Sequence, residues 1–177
     1  PATGTWDEVY QPSDGAMLPR AVRLLIVDDC TLRRDYLVGA LVAHGASVPD
    51  VAWDLCSLTA GFETTPHVIL LNMATQQSAA LLRHALKLSA SVRVVAMGIP
   101  EDDESAIIAC AEAGVTGYHL RNESLRELLA LIPKVAAGEA LCSSRVSAIL
   151  LRRLSALAAQ RQPVGDELVL TAREIQI

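Results

Sequence analysis

Basic residues, aromatics and long apolar runs are all scarce in this chain of 177 residues, and each scarcity excludes something. Fifteen Lys and Arg against twenty Asp and Glu leave a net charge of −5, so the bulk charge does not advertise nucleic-acid binding. Aromatic residues number six, two Trp, three Tyr and one Phe, so aliphatic side chains must build the core. No segment reaches the roughly 18–20 apolar residues that a membrane-spanning helix requires. The first twenty residues lack the basic and apolar regions of a signal peptide; rich in Pro, Gly, Ser, Thr and Asp, residues 1–20 read as an N-terminal extension, with Met17 a candidate native start. The four cysteines (Cys30, Cys56, Cys110, Cys142) form no C-x-x-C pair and have no histidine at metal-binding spacing. They read as reduced core or near-core thiols of a cytoplasmic protein. The four histidines (His44, His67, His84, His119) are scattered, which argues against a zinc site.

What is abundant is alanine and leucine in a chain that is 51% hydrophobic, enough for one well-buried core. Residues 22–29, VRLLIVDD, form an apolar run of β-formers ending in two aspartates, the pattern of a central parallel strand. A helix follows to Gly45, with Leu32, Tyr36, Leu37, Ala40 and Leu41 as its inward stripe. A short strand at Val51–Trp53, opened at a sheet edge by Pro49, leads into a weak helix and turn. HVILLN (67–72) is the next strand, and the helix after it turns Leu81, Leu82, Ala85 and Leu86 inward. VRVVAMG (92–98) is a fourth strand; Pro100 and neighbouring acids open a helix that Gly114 ends. TGYHL is a short fifth strand. Asn122 is the expected N-cap of a helix with Leu125, Leu128, Leu129 and Ile132 inward, kinked or interrupted at Pro133. This alternation predicts an α/β fold, a five-stranded parallel sheet doubly wound with helices on both faces. After Gly138 the alternation stops. Residues 143–162 read as an amphipathic helix capped by Ser143, with Val146, Ile149, Leu150, Leu154 and Leu157 on one face.

Working sites of open parallel sheets lie at the carboxyl ends of the strands. Here those ends carry Asp28 and Asp29, then Asp54, Asn72, Gly98 and Arg121. Two adjacent carboxylates can hold a hard cation such as Mg²⁺, and a third on the central strand would complete the site and attack a phosphoryl group. A hydroxyl after the fourth strand and an ammonium after the fifth would then bind phosphoryl oxygens.

With these residues in view the chain resembles the receiver domain of a response regulator of two-component systems, more narrowly of the NarL/LuxR type. The resemblance rests on LLIVDDCTLRRDYL, PHVILLNMA, VRVVAMG, AEAGVTGYHLRNESLREL, AAGEALCSSRV and LTARE, and covers residues 21–177. LTARE resembles the LTPRE that opens the family's helix-turn-helix domain. The resemblance implies a flavodoxin-like sheet of order 2-1-3-4-5. It also implies a receiver-like domain at 21–138, a linker helix and linker at 139–165, and at 166–177 the start of a DNA-binding domain cut short here. The family's acidic pair matches Asp28 and Asp29, and its switch aromatic matches Tyr118. Its phosphoacceptor aspartate falls on Asn72, its switch hydroxyl on Gly98 and its lysine on Arg121; the proline and glycine that usually follow the acceptor are missing.

The substitutions have direct chemical consequences. A carboxamide is no usable nucleophile and brings no negative charge to a metal. With the acceptor gone, the pocket is a degenerate phosphorylation site with low metal affinity, no cofactor and no catalytic role. Arg121 is expected to bridge the two aspartates in place of metal and lysine. Gly98 takes away bulk beside Tyr118, which is therefore expected to rest inward. Asp54 and Thr75 are alternative phosphoacceptors, but neither matches the resembled geometry. The implied whole is an atypical, phosphorylation-independent transcriptional regulator that dimerises and binds promoter DNA through its C-terminal domain. The alternative is a module that takes a small effector or a protein in the vacated acidic pocket or on the Tyr118 face.

Overall fold

The computed structural model describes residues 17–161. Most of the N-terminal extension, and the LTARE segment read as the start of a DNA-binding domain, lie outside the described residues. The strands are β1 (Leu24–Val27), β2 (Asp50–Ala52), β3 (Val68–Asn72), β4 (Arg93–Ile99) and β5 (Gly117–Leu120). They form one parallel sheet in the order β2-β1-β3-β4-β5. The helices are α1 (Thr31–Ala43), α2 (Leu55–Gly61), α3 (Ser78–Leu88), α4 (Glu104–Ala113), α5 (Leu125–Ala136) and α6 (Ser144–Arg161). The expected flavodoxin-like, doubly wound architecture is therefore the one observed.

Strand alternation sorts the core into two layers. Leu24 and Ile26 of β1, with Val68, Leu70, Val95 and Met97, pack under Leu41 of α1 and Leu128, Leu129, Ile132 and Val135 of α5. Leu25, Val27, Ile69, Leu71 and Val94 point the other way, toward Leu58, Leu81, Leu82 and Ala85. A third cluster joins β4 and β5 to Ile107 and Cys110 of α4 and to Val146 and Ile149 of α6. Each such aliphatic side chain, fully buried, stabilises the fold by roughly 1.5–3 kcal/mol.

Several local expectations are corrected. Leu32 and Tyr36 of α1 are exposed; Leu37 and Leu41 face the core as expected, and Val38 joins them. The N-cap of α5 is Ser124, not Asn122: Ser124 and Glu127 form a reciprocal capping box, which satisfies two backbone donors at once. Pro133 does not interrupt α5, which runs on to Ala136. Helix α4 starts at Glu104, capped by Asp103, rather than at Pro100. Strand β4 continues past Gly98 to Ile99. Leu18, inside the stretch read as extension, is buried and donates its N–H to His44 O. Cys56 and Cys142 are exposed, not near-core. On α6 Val146 and Ile149 are buried and Leu150 and Leu157 half-buried, whereas Leu154 is exposed.

Candidate functional site

Strand β1 delivers Asp28 to the carboxyl edge of the sheet and buries it at 3% exposure. Its carboxylate accepts four hydrogen bonds. Oδ1 takes the Cys30 N–H at 2.8 Å and Arg33 Nη2 at 2.9 Å. Oδ2 takes Arg33 Nε at 2.8 Å and Asn72 Nδ2 at 2.6 Å. A carboxylate offers about four lone-pair directions, so every one of them is already used. The two-pronged Arg33 contact is the strong form of such a pair. Burial pushes the Asp28 carboxyl toward its neutral form, but the bonds from Arg33, Asn72 and Cys30, with the Arg33 charge, outweigh it. The net effect holds Asp28 below the usual carboxylate range.

Asn72 ends the buried strand β3 and is itself buried. Its Oδ1 accepts the Ala74 N–H at 3.0 Å, which aims Nδ2 at Asp28. Asp29 lies at the surface, where it accepts the Gln76 N–H at 2.9 Å and stands 3.7 Å from Arg33. The family's Mg²⁺ does not fit this donor set. One aspartate is saturated by protein donors, a guanidinium stands against it, and the third position is an amide. Among the described residues no cluster of three His, Cys, Asp or Glu could hold a metal ion.

Gly98 explains itself in three dimensions. Its φ is +75°, where the pairing of β4 with β5 slips by a residue between Met97 and Ile99. A Cβ added there would lie 2.8 Å from Asn72 Oδ1. The absent side chain and the amide thus belong together: the left-handed bulge and the close approach each demand glycine.

The ion pair expected of Arg121 is made by Arg33. Arg33 rises from the first turn of α1, four residues after Asp29, and reaches the carboxylates from beside them. Arg121 follows β5 at the surface, with its N–H bonded to Ile99 O, and no ion pair reaches its side chain among the described residues. It lines a cavity of about 320 Å³ together with Asp28, Asn72 and Gly98. Ile26, Leu37, Met97, Leu120, Leu125 and Leu128 wall this cavity, and Arg33, Tyr36 and His119 complete it. Arg33, Tyr36 and His119 were missed in the sequence. For Arg33 the signal was weak: Asp28 and Asp29 precede α1, so the pair is set by how the loop delivers them to its first turn rather than by spacing on a helix face.

Tyr118 lies on the opposite side of the sheet from this cavity. It is 6% exposed, packs with Ile107, Val146 and Ile149, and donates its hydroxyl to Ile107 O at 3.3 Å. Burial pushes its phenol above the ordinary range. Asp54 is the N-cap of α2, engaged with Ser57, and Thr75 is buried with no hydrogen bond to its hydroxyl. Neither stands among the cavity residues.

No protein-family model and no curated protein matches the chain. Solved structures do match its fold. A two-component response regulator of the LuxR family from Aurantimonas is similar at TM-score 0.65 and 21% identity, over 75% of this chain and 97% of that one. The response regulator ChrA of a heme-sensing two-component system matches at TM-score 0.58 and 20% identity, over 77% and 67%. The RcsB response regulator of Salmonella typhimurium matches at TM-score 0.61 and 14% identity, over 73% and 66%. At these identities the likeness is one of fold, the receiver-like sheet and its helices.

Proposed function

We propose that this chain is the regulatory receiver domain of a DNA-binding transcriptional regulator, and that it works without aspartyl phosphorylation. The observation that carries the proposal is the bond from Asn72 Nδ2 to Asp28 Oδ2. The position of the expected phosphoacceptor holds a donor that is already spent on the carboxylate a metal would need. Arg33 supplies the positive charge that a divalent cation supplies elsewhere, and no hydroxyl stands at Gly98. With no nucleophile at the apex, the role is regulatory rather than enzymatic.

The full regulator, on this reading, is a cytoplasmic homodimer that engages promoter DNA through a further domain. Support comes from the fold and from RcsB, a structural neighbour whose dimers bind DNA. The test is incubation with acetyl phosphate and Mg²⁺ followed by intact-mass analysis. No phosphoryl adduct is expected; a stoichiometric adduct would overturn the proposal. Footprinting of the full-length regulator on its own upstream DNA tests the DNA-binding part, and its absence at any concentration would remove that part.

A second reading is favoured by one observation, the walled cavity next to Asn72. A receiver that does not use phosphate can be set by a bound effector, and the cavity provides a place for one.

A further inference from the structure

We propose that the cavity between α1 and α5 binds a small, largely apolar monoanion, an aromatic or aliphatic carboxylate, with its acid group on Arg121. This inference rests on the effector reading above and names the ligand class. The cavity's volume of about 320 Å³ falls at the small end of the roughly 300–1,000 Å³ typical of small-molecule sites.

Charge accounting sets the ligand's charge. Asp28 and Arg33 both line the cavity but neutralise each other through two hydrogen bonds. Asn72 is neutral and has both ends of its amide engaged. His119 has one ring nitrogen 3.0 Å from Ser124 O. That leaves Arg121 as the one lining cation with no carboxylate partner among the described residues. A single negative charge matches it, and a guanidinium receives a carboxylate through two parallel N–H donors.

The walls set the ligand's body and its direction. Ile26, Met97 and Leu128 are buried, Leu37 and Leu125 are half-buried, and Arg121 is exposed. An apolar group therefore lies inward against aliphatic side chains, and the acid remains at the mouth where Arg121 and the Tyr36 ring stand. A phosphate dianion is poorly matched here: the Arg121 guanidinium balances only one of its two charges, and the buried walls Ile26, Met97 and Leu128 that would face the other are apolar.

The test is calorimetric titration of the 177-residue chain with benzoate, indole-3-acetate and octanoate. Indole-3-acetamide serves as the uncharged counterpart and inorganic phosphate as the polyanion control. At least one carboxylate is expected to bind with a Kd below about 1 mM, and phosphate is not. Arg121→Gln is expected to weaken the carboxylate by about tenfold or more and to erase its advantage over the amide. The variant's melting temperature is expected to equal the parent's, because Arg121 is exposed. Backbone amide shifts on titration are expected at Leu37, Met97 and Leu125. The inference is overturned by no binding of any carboxylate, by equal binding to Arg121→Gln, or by shifts confined to another face. Failure of binding in a chain that acetyl phosphate does not label removes this ligand class alone. Labelling by acetyl phosphate removes the phosphorylation-independent reading, whatever the titration gives.

Discussion

Asn72 makes a bond that an aspartate at the same place could not. Its Nδ2 donates to Asp28 at 2.6 Å, and Asn72→Asp turns that contact into two facing carboxylates. The substitution is expected to cost about 1–3 kcal/mol in urea unfolding at pH 7. The loss should shrink at pH 5, where the pair can share a proton. It is not expected to create a phosphoacceptor, since Arg33 and Gly98 remain as they are. Gly98→Ser is likewise expected to destabilise, by about 1–3 kcal/mol, because it places a side chain at positive φ against Asn72.

The two arginines separate cleanly. Arg33→Gln removes the charged partner of a buried carboxylate and is expected to cost about 1–3 kcal/mol. Arg121→Gln touches no ion pair among the described residues and is expected to change stability by less than about 0.5 kcal/mol. Chemical denaturation of both variants checks the contrast; equal losses would contradict the assignment of the pair to Arg33. Because the Asp28 carboxyl is held below its unfolded value, its contribution is complete above the unfolded pKa. It drains away as pH falls through the lower folded pKa. Acid titration of stability should therefore show a downward slope that starts near the ordinary aspartate range and is weaker in Arg33→Gln.

At the scale of elements, the helix α6 shows which contacts hold it. Val146 and Ile149 are buried against Ile107, Cys110 and Tyr118. Three ion pairs, Arg145–Glu101, Arg152–Glu104 and Arg153–Glu112, flank that contact at the surface. Exposed pairs contribute at most about 1 kcal/mol each, whereas deleting a buried isoleucine side chain costs about 2–5 kcal/mol. Ile149→Ala is therefore expected to destabilise far more than Arg152→Ala or Arg153→Ala, as measured by denaturant midpoints. The ion pairs orient the helix and the aliphatic contact docks it. Helix α5 illustrates a different balance. Pro133 removes one backbone donor, yet the helix continues, held by Leu128, Leu129, Ile132 and Val135 against the sheet. Packing on both sides of the proline outweighs the lost bond.

For the whole molecule, the sheet separates two sites that a linear reading puts side by side. Asn72, Gly98 and Arg121 open into the α1–α5 cavity, while Tyr118 faces α4 and α6. A ligand in the cavity and a movement of α6 therefore act on opposite faces of β4 and β5. Thiol chemistry reports on the second face. Cys56 and Cys142 are exposed, but Cys110 is buried beneath α6 and its thiol is pushed up to about 11. Ellman's reagent at pH 8 is expected to modify Cys56 and Cys142 rapidly and Cys110 slowly. Ile149→Ala should accelerate Cys110 alone, since that substitution loosens its cover. Fast modification of Cys110 in the parent would contradict the docked position of α6.

The kinds and order of the elements were legible in the residues because they depend on neighbours along the chain. Continuous apolar runs mark the buried strands, and stripes such as Leu81, Leu82 and Ala85 mark the inward faces. The absence of a nucleophile at Asn72 was equally legible, since it follows from the amide group itself. The tertiary structure alone decided that Arg33 rather than Arg121 neutralises Asp28, that Leu32 and Tyr36 stand outside the core, and that Ser124 rather than Asn122 caps α5. It also decided that an apolar cavity opens beside the amide. These outcomes depend on distances of a few ångströms between residues far apart in the chain, and packing sets those distances.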